Sequence, residues 1–342
     1  MAILMLCDTP VYDIAKDSVL NECLCPFSKA ESTKSAYNIW RRHRAYIRTN
    51  RTAELIVSRL GGKGTLEAKR RLSLSDSYWV KYKYDKDTGF NTITPYSNSF
   101  SLLDVKPGAA KSSSIPELVL GGSQPKQWGR SQDGTTYMSK AEQPMHVHAE
   151  MLAVKLALKS GLKSMNTFVR TDKGKLYAKD YPKSFDYSNL GIINIVNMTN
   201  PTRSMIQFDQ LGIGVNGLDV SNVIDAYTKA GVTEDIKGIA LTQVMFDCVV
   251  GNIDRKTNNS NWAIFMDNNN GRRMPSWLYD FNWANLTTEA TEMIIEVAQG
   301  IKRIGLEENA EKLLSPIICA CSQLELDLWY SNARRLLEEL KS

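Results

Sequence analysis

Two stretches carry the reading of this chain: Val249-Val250-Gly251-Asn252-Ile253-Asp254-Arg255-Lys256-Thr257-Asn258-Asn259 and, further on, Ser276-Trp277-Leu278-Tyr279-Asp280-Phe281-Asn282. An apolar helical run ends in a polar loop that presents Asp254, with Asn259 five residues on. Asp280 follows a second apolar approach, 26 positions after Asp254. Phosphoryl-transfer sites divide their work in this way. One Asp accepts the proton of the acceptor hydroxyl, while an Asn and a second Asp hold the metal that neutralises the phosphates. Neither a His-Arg-Asp triplet nor an Asp-Phe-Gly triplet is present, so the pattern rests on residue chemistry and order rather than on a familiar spelling.

Each residue also has a plainer reading. Gly251 to Arg255 is equally a polar turn closing a helix, with Asn259 capping the next element. Asp280 directly follows apolar residues, where a carboxylate without a cation is costly; the cation is either a metal or one of Arg255, Arg272 and Arg273. Taken together, the two acids favour the metal site, because a general base and a hard-oxygen ligand are needed on the same side of one cleft.

Composition bounds the alternatives. A chain of 342 residues with 43% hydrophobic and 23% charged residues has enough apolar surface for a sizeable core. The net charge of +5 does not mark a dedicated nucleic-acid binder. The arginines at 41, 42, 44, 48 and 51 form the concentrated basic run, a solvated helix face or a docking surface. Six cysteines lack zinc-ribbon spacing and are expected as reduced thiols. With no signal-like or membrane-spanning run, a cytoplasmic protein is expected.

Along the chain, weak strand signals at 1–27 precede helix-like spacing from Ser35 to Leu60, and Tyr78 to Tyr84 alternates as a strand. A boundary is expected near 105–112. Thr135 to Lys140 and Thr167 to Tyr181 read as strands flanking a helix from Val147 to Ser160, with Gly161 as its stop. Beyond 183 the chain reads as mainly helical: Val223–Ala230, Ile236–Val250, Ala290–Gln299, Glu307–Leu314 and Ser322–Leu340. A hairpin at 262–278 interrupts the helices. The expected organisation is an N-terminal subdomain (1–108), a nucleotide-binding lobe (109–182) and a helical lobe with the catalytic and metal-binding loops (183–342).

Upstream, Lys140 at a strand end and Glu150 on the next helix suit a lysine that fixes phosphates and the acid that clamps it. The turn Gly121-Gly122-Ser123-Gln124-Pro125-Lys126 could lay backbone N–H groups over phosphates, although it is also an ordinary tight turn. His146-Val-His148 lacks further ligands at zinc spacing and is set aside as a metal site. No Ser-His-Asp or Cys-His arrangement is credible among three histidines.

In their order, Leu72-Ser-Leu-Ser-Asp-Ser-Tyr-Trp-Val, Gly121 to Trp128, Tyr137-Met-Ser-Lys140, Glu150, Asn252 to Asn259 and Tyr279-Asp280-Phe281 resemble the HipA-like serine/threonine protein kinases. The resemblance implies an α+β, two-lobed protein-kinase-like fold, with a mixed N-lobe, a mainly helical C-lobe and an extra N-terminal subdomain. It implies Asp254 as catalytic base, Asn259 and Asp280 as Mg2+ ligands, Lys140 as phosphate lysine, and residues 121–126 over ATP. Adenine would sit by Lys179, Asp180 and Tyr181. The expected activity is ATP- and Mg2+-dependent transfer to Ser or Thr of a protein, including autophosphorylation. A pseudokinase, a nucleic-acid binder and a lipid or small-molecule kinase are the rivals. Two departures stand out: Lys256 replaces the family's usual His and Asn282 its frequent Gly. Val119 and Leu120 occupy the neighbourhood of the toxins' autophosphorylated serine, which argues against regulation by that route.

Overall fold

The computed structural model describes residues 2–27, 33–44, 76–93, 126–130, 136–141, 143–164, 166–171, 176–177, 190–196, 202–258, 261–281 and 283–342. Gly121, Gly122, Ser123, Gln124, Lys179, Asp180, Tyr181, Asn259 and Asn282 therefore lie outside the described residues, as do the expected linker near 105–112 and the part of the helical pattern at 45–60. The chain divides into two compact units, one of 1–142, 192–212 and 263–274, the other of 143–191, 213–262 and 275–342.

In the first unit, four strands pair in the order Ser18–Val19, Thr9–Asp13, Ala2–Leu6, Tyr78–Tyr82. Ala2–Leu6 is antiparallel to both neighbours, with Leu4 opposite Val80 and Met5 opposite Trp79. Tyr12 of Thr9–Asp13 and Tyr78 of Tyr78–Tyr82 meet the aromatic side of the helix Thr33–His43, so Tyr12, Phe27, Tyr37, Trp40 and Tyr78 form one chain of ring contacts at 5.2–6.1 Å. The basic run is not uniform. Arg42 is exposed, whereas Arg44 is 1% exposed and meets Asp76 through two bonds of 2.6 and 2.7 Å. That pair takes Arg44 out of the expected solvated or docking face, while Arg48 and Arg51 lie outside the described residues.

Two more ladders belong to this unit. Lys126–Arg130 pairs with Thr136–Ala141, placing Lys126 opposite Lys140, and Thr136–Ala141 pairs in turn with Leu190–Val196. Arg203–Gln207, Ala263–Asp267 and Arg273–Pro275 form a three-stranded sheet. The hairpin expected at 262–278 is thus present. The strands at 190–196 and 203–207 fall where helical character was expected, because an apolar run such as Leu-Gly-Ile-Ile-Asn-Ile-Val has no period that separates strand from helix.

The second unit is helical, apart from the hairpin Asn166–Thr171 with Leu176–Tyr177. Pro144–Lys159 starts three residues before the expected boundary, with Pro at its first turn, and Gly161 (φ 75°) stops it as expected. Val220–Lys229, Ile236–Val250, Thr291–Arg303, Glu307–Gln323 and Asp327–Lys341 complete the set. Glu307–Gln323 runs through Pro316 and outlasts the expected end at 314. It stops where Glu325 turns left-handed (φ 52°) and Leu326 N–H reaches the Cys321 carbonyl at 3.0 Å, a stop made without glycine. No helix among the described residues is long and apolar enough to cross a membrane.

Candidate functional site

The second unit is organised around an acid that the apolar pattern hides. Asp247 stands in Val244-Met245-Phe246-Asp247-Cys248-Val249-Val250 on the helix Ile236–Val250 and is wholly buried. Burying a carboxylate without compensation is prohibitive, and two residues from the following turn supply it. Arg255 Nε lies 2.6 Å from Asp247 Oδ2, and Asn252 Nδ2 donates to Asp247 Oδ1 at 3.0 Å. The turn can return over the helix end because Gly251 is left-handed (φ 64°) and Asn252 N–H bonds the Asp247 carbonyl at 2.8 Å. Burial alone would lower the Arg255 pKa; Asp247, followed by Tyr279, Tyr227 and Asp280, outweighs it and holds the guanidinium above its usual value.

Arg255 also ties the two diagnostic stretches together. Its Nη1 donates to the Asn261 carbonyl and its Nη2 to the Tyr279 carbonyl at 2.5 Å. Its guanidinium lies 5.4–5.8 Å from the ring centres of Trp262, Tyr279 and Phe281. Asn252, besides meeting Asp247, donates to the Asp280 carbonyl at 3.3 Å. So the residue after Asp254 holds the carbonyl before Asp280, and a residue two before Asp254 holds the carbonyl of Asp280 itself. The carboxylate that Arg255 meets at 2.6 Å is that of Asp247.

Both acids keep partial access to solvent. Asp254 opens the one-turn helix Asp254–Thr257, and Asn261 Nδ2 bonds its Oδ2 at 2.5 Å, which fixes the rotation of the carboxylate. Asp280 has φ 62°, a left-handed conformation unfavourable for a non-glycine residue and held by the bonds on either side of it. The segment leading to it is anchored as well. Leu278 N–H bonds the Lys163 carbonyl at 3.1 Å, Ser164 Oγ donates to the Leu278 carbonyl at 3.0 Å, and Gln243 Nε2 donates to the Ser276 carbonyl at 3.2 Å. Behind the turn, Asn332 Nδ2 donates to the Val249 carbonyl at 2.9 Å and Trp329 Nε1 to the Asn285 carbonyl at 2.8 Å.

Of the other expected site residues, Glu150 is 0% exposed on Pro144–Lys159 of the second unit, while Lys126 and Lys140 are backbone partners in a ladder of the first. Lys256 Nζ lies 2.5 Å from Glu296 Oε2 on Thr291–Arg303, with both side chains about a third exposed (39% and 37%). Asp247, Asn252 and Asn261 join the site without having been expected there. For Asp247 the signal was present: an acid inside an apolar helical run calls for a cation as strongly as Asp280 does.

The fold is that of the HipA-like kinases, an α+β protein-kinase-like architecture. The chain is similar over 100% of its length, and over 97% of the other chain, to HipA of Shewanella oneidensis MR-1, solved in a toxin–antitoxin complex with HipB and operator DNA; the TM-score is 0.53 at 12% identity. It also matches the Helicobacter pylori proinflammatory kinase CtkA over 63% of this chain and 88% of that one, with a TM-score of 0.39 and 14% identity. No protein-family model matches the chain, and no curated protein matches it.

Proposed function

We propose that this chain is an ATP- and Mg2+-dependent phosphotransferase that phosphorylates Ser or Thr of a protein, itself included. The observation that carries the reading is the fastening of the turn that presents Asp254 to the carbonyls of Tyr279 and Asp280, through the side chains of Arg255 and Asn252. A polar turn that merely closed a helix would have no need to fix a second acid 26 residues away.

In this mechanism Asp254, its rotation set by Asn261, accepts the proton of the acceptor hydroxyl as the hydroxyl oxygen bonds to the γ-phosphorus of ATP and the bond from that phosphorus to the β–γ bridging oxygen breaks, releasing ADP. The donor chemistry fits a hard divalent cation: Asp280 offers a solvent-reachable carboxylate on a fixed backbone, and Asn259 is the second ligand assigned from the sequence. A bound Mg2+ would neutralise charge on the β- and γ-phosphates. Lys140 is assigned to the phosphates with Glu150 as its countercharge, both from the sequence. Residues 121–126 and 179–181 are assigned to the nucleotide. A DNA partner of the kind bound in the Shewanella complex is not part of the proposal, because Arg44 of the basic run is committed to Asp76.

The test compares ATP consumption and autophosphorylation of the wild type, Asp254→Asn and Asp280→Asn. Loss of at least about a hundred-fold in both variants is expected, in line with removal of a base or of a charge-stabilising group. Unchanged activity in both sinks the assignment.

A further inference from the structure

Of the two cations in 249–259, Arg255 is consumed by Asp247 and two carbonyls, and so cannot serve a ligand. Lys256 differs. It stands on the same turn as Asp254, reaches solvent, and is held by a single carboxylate, Glu296, at 2.5 Å. Glu296 in turn is confined from its other side. Gly217 has φ 73°, and a Cβ added there would stand 3.0 Å from Glu296 Oε1, so the loop leaves no room for a side chain against this acid. A lysine two residues from the proposed base, parked on an acid at the solvent edge, is a cation that a phosphate can take over. A partly exposed ion pair is worth little by itself and is exchanged readily.

Resting on the kinase reading above, we propose that Glu296 is a built-in competitor for phosphate: it holds the Lys256 ammonium while the site is empty and is exchanged for a phosphate oxygen when the magnesium nucleotide binds. The exchange involves no bond making or breaking, only the replacement of one oxyanion by another at Nζ. Glu296 is then a positioning residue whose charge sets nucleotide affinity, and Lys256 is the group that meets the phosphate.

The experiment is calorimetric titration of the full chain with magnesium and a non-hydrolysable ATP analogue, for the wild type, Glu296→Gln, Lys256→Met, the double variant and Asp280→Asn. Removing the competitor is expected to tighten binding by up to about five-fold, the limit of what a partly exposed pair is worth. Lys256→Met is expected to weaken it by roughly ten-fold or more, the value of a charge-assisted bond. The double variant should bind like Lys256→Met, because without the lysine Glu296 has nothing to withhold. A merely structural pair would lower the melting temperature of both single variants and leave affinities unmoved. Unchanged or weaker binding by Glu296→Gln overturns the inference while wild-type binding and its weakening by Asp280→Asn keep the kinase reading intact. Absence of wild-type binding overturns both.

Discussion

Arg255→Met removes the cation that compensates Asp247 and both donors that join Asn261 and Tyr279 to the Asp254 turn. Arg255 and Asp247 are 1% and 0% exposed, so water cannot take over the lost interaction. Deleting one partner of a buried pair costs about 3–5 kcal/mol, mainly because the other charge is left uncompensated. For folding units of about 150–250 residues each kcal/mol lowers the melting temperature by about 2–4 °C, so scanning calorimetry should find this variant roughly 6–20 °C below wild type. The double variant Asp247→Leu/Arg255→Met separates stability from positioning. Replacing both members of a buried pair by apolar residues of similar size is often neutral or stabilising, so most of the melting temperature should return. The bonds to the Asn261 and Tyr279 carbonyls do not return, and a loop displaced by about 1 Å can cost a hundred-fold in rate. Phosphotransferase activity should therefore stay low in the double variant. Arg255→Met melting within about 2 °C of wild type, less than the loss of even one kcal/mol would give, or a double variant with restored activity, would refute the role given to this residue.

The same geometry gives three further outcomes. Gly251→Ala must adopt φ 64° and bring its Cβ within 2.9 Å of Asn285 Cβ, so urea denaturation should show a loss of about 1–3 kcal/mol; a loss under about 0.5 kcal/mol would contradict the strained return of the turn. Burial raises the Asp219 pKa, but hydrogen bonds from Ser221 and the Arg303 guanidinium outweigh it and hold the carboxyl below its usual range. Its stabilising contribution is full above the unfolded value near 3.9 and is lost as pH falls through the folded value, so Asp219→Ala should cost about 1 kcal/mol at pH 7 and the gap should close in acid. Burial pushes the Cys25 thiol up to about 11 and Cys321 up to about 12, which leaves almost no thiolate at pH 8. Ellman's reagent at that pH should modify the exposed Cys23 and Cys319 promptly, and Cys25, Cys321 and the wholly buried Cys248 only after denaturation.

The helices of the second unit are legible in the sequence because their apolar residues recur at helical spacing and their ends carry local signals: Gly161 after Pro144–Lys159, Gly251 after Ile236–Val250. Where a helix stops without glycine, as at Glu325, or where proline is absorbed, as at Pro316, local signals mislead. The strands 190–196 and 203–207 escape because short apolar segments carry no decisive period; Arg203–Gln207 becomes a strand by pairing with residues some 60 positions away, from Gln207 opposite Ala263 to Arg203 opposite Asp267. Local sequence cannot announce such a partner. Arg44 shows the converse: its neighbours suggest a solvated basic face, and only Asp76, 32 residues on, makes it interior.

At the candidate site, the sequence discloses the acids proposed for the chemistry better than the residues that hold their loops. Asp254 and Asp280 stand out because an acid at the end of an apolar run is costly unless it has work to do. The same rule applied to Asp247 demands a cation and finds Arg255 eight residues on. It does not reveal that the guanidinium, once buried, has donors left over for the Asn261 and Tyr279 carbonyls. That surplus is what converts a buried ion pair, usually a poor source of stability, into a device for registering two loops. A lysine at 255 would neutralise Asp247 as a point charge but could not spread three separate contacts over a planar fork. Positioning in this protein therefore depends on the shape of the buried cation as much as on its charge.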